Sequence, residues 1–97
     1  MAQVAREAEL RGWIEDYLRY LDGAWQAVPA LAAEWHEWDD HSRLVFRMDW
    51  PVIEDRLSQL RGWAEAGQLA PAERVRYERV LALERQHRPT LEQLLVG

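Results

Sequence analysis

Leu10, Trp13, Ile14, Tyr17, Leu18 and Leu21 recur three and four residues apart, with Glu9, Gly12, Glu15, Asp16 and Arg19 between them. That spacing lines one side of a 3.6-residue helix and predicts the first element. Asp22-Gly23 supplies a stop, because glycine accepts the left-handed conformation that closes a helix. Trp25, just beyond it and off the stripe, is expected exposed or at an interface.

A second stripe runs Val28, Leu31, Trp35, Trp38, Ser42, Val45 and Phe46, with Pro29 in its first turn, where a missing N–H is tolerated. Whether this helix continues through Arg47 is left open by the pattern, since Leu44, Phe46, Met48 and Trp50 also alternate as a short strand would. DWPV reads as a new start, with Asp49 as cap and Pro51 in the first turn, ahead of Ile53, Leu57, Leu60, Trp63 and Ala64 on one face. Gly67 is a C-terminal stop, and Leu69 can fold back on the last turn. LAPAER restarts the chain with Pro71 in the first turn and Glu73 near the positive helix end, although Ala70 is a poor cap.

The fourth helix is expected to run to about Arg88 with blurred periodicity, because Val80 and Leu83 share a face with Glu73, Arg76, Glu84 and His87. Pro89 is expected to end or kink it, leaving a short apolar tail of Leu91, Leu94 and Leu95. Short connections favour antiparallel neighbours. The expected fold is all-α: one domain over residues 1–97, a small antiparallel bundle of three to four main helices plus a short C-terminal helix.

Composition adds limits. The 97 residues are 48% hydrophobic and 30% charged, as in a folded domain and unlike a disordered chain. With no cysteine, neither a disulfide framework nor a thiolate nucleophile is available. All 12 basic residues are arginine and alanine is abundant, which the genetic code links to a GC-rich genome, and a bacterial origin is the expectation. The first residues mix acids and arginines where a secretory signal needs an unbroken apolar run, and no stretch approaches the roughly 18 apolar residues of a membrane span. The expectation is a cytoplasmic protein.

The net charge of −5 lies entirely in the first half. Residues 22–42 contain neither lysine nor arginine, whereas residues 71–90 carry five arginines against three glutamates. An acidic stripe and a basic one are thus available to face each other or a partner.

The densest chemistry is AEWHEWDDH, residues 33–41. On a continuous helix Trp35 and Trp38 join the apolar stripe, while His36 with Asp40 and Glu37 with His41 form pairs four apart. Paired ligands on adjacent turns are how HExxH-type sites begin, so His36, Glu37, Asp40 and His41 are the candidate metal ligands. Facing helices offer no repeated Glu-x-x-His, and exposed helix-supporting pairs are the plainer account, so no cofactor is assigned.

No catalytic residues emerge. Ser42 follows His41, but successive helical residues point in different directions. Glycine-rich phosphate loops are absent. Arg74, Arg85 and Arg88 cluster on one side of the fourth helix and suit phosphates, yet the chain is net acidic, and nucleic acid is the weaker alternative. Surplus tryptophan and arginine are typical of interfaces. The expectation is a non-enzymatic protein-interaction or regulatory module, self-associating as a homodimer or higher oligomer. Its candidate residues are Glu34, Glu37, Asp40 and His41 on an acidic face, and Trp25, Arg74, Arg85 and Arg88 on a basic or aromatic one.

Overall fold

The computed structural model describes residues 2–96, and every element in it is helical: α1 (Ala2–Gln26), α2 (Val28–Glu34), a 3-10 turn (Trp35–Glu37), α3 (Asp40–Glu65) and α4 (Pro71–Val96). No strand occurs among the described residues, so the strand alternative at Leu44–Trp50 is wrong. The molecule measures 52 × 24 × 17 Å, its length set by three long helices.

α1 does not stop at Gly23. Ile14, Leu18, Leu21 and Trp25 are wholly buried at spacings of four, three and four, and Val28 continues the row. Gly23 costs a helix interior about 1 kcal/mol, less than the burial of a tryptophan and a valine contributes. Hydrogen bonds from Ala27 N to Gly23 O (3.1 Å) and from Leu31 N to Ala27 O (3.0 Å) lead α1 almost directly into α2. Trp25 is therefore a core residue, and the exposed position expected for it is corrected. Trp13 is corrected in the opposite sense, being 58% exposed.

The second helix is not continuous to Arg47. α2 ends at Glu34, Trp38 is extended, and Asp39 caps α3 by accepting a 2.7 Å hydrogen bond from Ser42 N. The next expected boundary, at Asp49, does not exist: α3 passes through Pro51 without interruption. Pro51 is exposed, while Trp50, Leu57, Leu60 and Ala64 pin both sides of it to the core.

At Gly67 (φ 72°) α3 closes as its sequence predicts. Gln68 N bonds Trp63 O at 3.0 Å and Gly67 N bonds Ala64 O at 3.1 Å, the paired bonds of a Schellman ending. Leu69 packs back on the core. Glu73 compensates for the weak cap at Ala70, since its carboxylate accepts from Ala70 N at 2.8 Å and also takes Arg11 of α1.

α4 runs through Pro89 to Val96, so the separate C-terminal helix is not formed. Leu91 and Leu94 are buried, and Arg47 Nε holds Leu94 O at 3.1 Å. The blurred periodicity of α4 has a physical account. Around buried Tyr77 and Val80, its polar residues meet partners on other helices: Arg76 pairs with Glu15, Arg79 with Asp22 (2.8 Å), and Arg88 with Glu54 (3.0 Å).

Among the described residues no helix is long and apolar enough to cross a membrane.

Candidate functional site

The α2–α3 corner holds AEWHEWDDH, and the break in the helix changes what it can do. His36 lies in the 3-10 turn and Asp40 in the first turn of α3, so the two are not one turn apart on a common helix. Glu37 and His41 are likewise separated by the Asp39 cap. His36 Nε2 is 3.9 Å from Glu37 Oε1, with both side chains at least 70% exposed. Among the described residues no three histidine, aspartate or glutamate side chains converge on a point where a metal ion could sit, and the expected set of His36, Glu37, Asp40 and His41 does not assemble.

Asp39 is occupied structurally. Its carboxyl lies below the usual aspartate range, held there first by the hydrogen bond from Ser42 N and then by the Ser42 side chain. Ser42 is thereby committed to the helix start.

The corner is organised by aromatic packing. Trp35 and Trp38 are 5.4 Å apart, Trp35 meets Phe46 edge-on at 5.3 Å, Phe46 lies 5.5 Å from Trp50, and Trp50 stands edge-on to Trp25 at 5.1 Å. Arg43 donates to Trp35 O from Nε (3.1 Å) and Nη2 (2.8 Å), which fastens the 3-10 turn to α3. The guanidinium groups of Arg43 and Arg47 both lie 5.7 Å from the Trp35 ring. Trp35 and Trp38 are only half-buried, a rim to the core and not part of it as their place in the stripe implied.

On the outward side of α3 stands a group that periodicity alone did not single out. Leu44 (51% exposed), Val45 (41%), Met48 (68%) and Val52 (48%) form an apolar ridge pointing away from the core residues Trp50, Leu57 and Leu60. Asp40, His41, Asp49 and Asp55 are exposed around it, and Glu34 and Glu37 are exposed at the corner. A hollow of about 340 Å³ opens beside the ridge between Trp38, His41, Val45 and Phe46. The signal is present in the sequence as a second apolar face on one helix, hidden because Val45 also fits the core stripe.

The basic candidates do not form a free patch. Arg88 donates to Glu54 and Glu84 and lies 5.1 Å from the Trp25 ring. Burial works against its charge, but the hydrogen bonds and charges of Glu54 and Glu84 outweigh burial and hold it above the usual arginine value. Arg74 donates to Ala64 O at 3.1 Å and lies 3.9 Å from Glu78. Arg85 is exposed. The acidic partners that α4 finds on other helices lie on α1 and α3, and Glu34, Glu37 and Asp40 are exposed to solvent.

No family model matches the chain, and neither a curated protein nor a solved structure does.

Proposed function

We propose that the chain is a non-catalytic protein-interaction module, an up-down-up antiparallel bundle that self-associates through the outward face of α3 and regulates or assembles a protein partner. The observation that carries this is the Leu44–Val45–Met48–Val52 ridge, four neighbouring apolar side chains each at least 41% exposed. A helix apolar on two opposite sides has a second surface to bury, and an apolar centre within a polar rim is the usual anatomy of an interface. Glu34, Glu37, Asp40 and His41 belong to that rim. The bundle sense is supported by the inter-helix pairs: Arg11, Glu15 and Asp22 meet Glu73, Arg76 and Arg79 in rising order, whereas Glu54 and Arg61 of α3 meet Arg88 and Glu84 in falling order.

The test is sedimentation velocity with native mass spectrometry of the full chain at micromolar concentrations. The expected result is a dimer or higher oligomer. Met48→Glu should abolish it while the chain stays helical and unfolds cooperatively, its melting temperature losing the dependence on protein concentration that a dimer shows, and charge reversal of Glu34, Glu37 and Asp40 should weaken it with the fold intact. A monomer throughout would overturn self-association.

A further inference from the structure

The outward side of α3 is nearly palindromic. At 100° per residue, Leu44, Val45, Pro51 and Val52 fall within about 60° of Met48, and His41 and Asp55 within about 20°. All seven residues are exposed. His41 stands as far before Met48 as Asp55 stands after it. Neither is engaged in an ion pair with its own chain among the described residues.

We propose that the occupant of this face is α3 of a second copy of the chain, packed antiparallel about a two-fold axis at Met48. The proposal rests on the interaction-module reading above and adds its partner and register. Under that axis Met48 meets its own copy, Val45 meets Val52, Leu44 meets Pro51, and each His41 meets an Asp55 at both ends of the contact. Methionine suits the axis, because an unbranched thioether adapts to its symmetry mate. The hollow between Trp38 and Val45 lies on the flank that receives Val52 of the second copy. At a crossing angle of about 20°, His41 and Asp55 lie only about 10 Å along the helix from the crossing point, so they remain opposite one another.

The pairing of an imidazole donor with a carboxylate acceptor selects this register over its rivals. A parallel pair would set His41 on His41 and Asp55 on Asp55, aligning two carboxylates. The two-fold antiparallel pair replaces both like contacts with complementary ones, and it closes as a dimer without leaving an apolar edge to propagate. The contact is one helix pair, smaller than the roughly 1,600 Å² of a standard interface, so the dimer it forms is expected to be a weak, concentration-dependent one.

The absence of cysteine makes the test direct. In the full chain, Met48→Cys should form a disulfide-linked dimer on mild oxidation, while Val75→Cys, on the exposed side of α4 (71% exposed), should not. His41→Glu and Asp55→Arg should each weaken the wild-type dimer about ten-fold, and the double variant, which sets a glutamate opposite an arginine, should recover most of the loss. If the wild type is a dimer but Met48→Cys cross-links no faster than Val75→Cys, or the double variant is no better than the singles, this register is overturned and self-association is left standing. A wild-type monomer overturns self-association itself, and the second copy with it.

Discussion

Trp50 stands edge-on to Trp25, ring centroids 5.1 Å apart and planes at 89°, and the Trp25 ring is fully shielded from solvent. The pair joins α1 to α3 and connects the rim aromatics to the core. Trp25→Ala should destabilise the protein by about 3–5 kcal/mol through lost burial and a cavity. Trp13→Ala should cost within about 0.5 kcal/mol, because that ring is more than half exposed. Trp25 Nε1 has no hydrogen-bond partner among the described residues, so Trp25→Phe should be much milder than Trp25→Ala. Urea unfolding checks all three; equal costs at positions 13 and 25 would contradict the burial of Trp25.

Glu54 joins two helices and an indole, accepting from Trp50 Nε1 at 3.0 Å and from Arg88 Nη2 at 3.0 and 3.2 Å. The ion pair is about a third exposed on each side, so solvent screening limits its contribution. Glu54→Ala should cost about 1–2 kcal/mol, mostly from the indole N–H and guanidinium left without that acceptor. Arg61→Ala, which breaks only a 3.9 Å contact with Glu84, should cost less than about 0.5 kcal/mol. Thermal unfolding of the two variants at one ionic strength gives the comparison, and an equal loss would remove Glu54 from its bridging role.

Asp39 offers a pH signature. Its carboxyl is lowered from 3.8 in the folded chain by the Ser42 hydrogen bonds. A depressed folded value stabilises the fold above the unfolded value, and the contribution is lost as pH falls from about 3.8 through the lower folded value. Asp39→Asn keeps a capping oxygen but not the charge. The wild type should therefore be the more stable at neutral pH, by a margin that stays constant down to the unfolded value and narrows below it. Melting temperatures of the two proteins from pH 7 to pH 2.5 would show this, and a margin independent of pH would rule out the charged cap.

Much of the helical content was legible because burial and local signals agreed: Ile14, Leu18 and Leu21 in α1, the Gly67 ending with Leu69, and the Pro71 start with Glu73. Three of the boundary errors share one cause. Gly23, Pro51 and Pro89 are local stop signals, and at each the buried residues on both sides outweighed the local cost. Trp25 falls off the stripe only if α1 ends at Gly23. The corner failed in the opposite sense, since Asp39 fits a helical face in the sequence while its side chain starts a new helix. The ridge was the least legible part of the candidate site, because which of two apolar faces is covered depends on the helices that pack around α3 and not on α3 alone.

The two internal prolines give the sharpest test of continuity. A proline inside a helix forgoes one backbone hydrogen bond and crowds the preceding turn, a penalty of about 3 kcal/mol, partly offset because it also restricts the unfolded chain. Pro51 and Pro89 lie in the interiors of α3 and α4 with exposed rings. Pro51→Ala and Pro89→Ala should each stabilise the protein by about 1–2 kcal/mol, raising the melting temperature by about 4–8 °C per kcal/mol in a domain of this size. Had either proline opened a separate helix, where its missing N–H is harmless and its fixed φ helps, alanine would be neutral or destabilising. A fall in melting temperature would therefore divide that helix in two, and at Pro51 it would also break the outward ridge between Met48 and Val52.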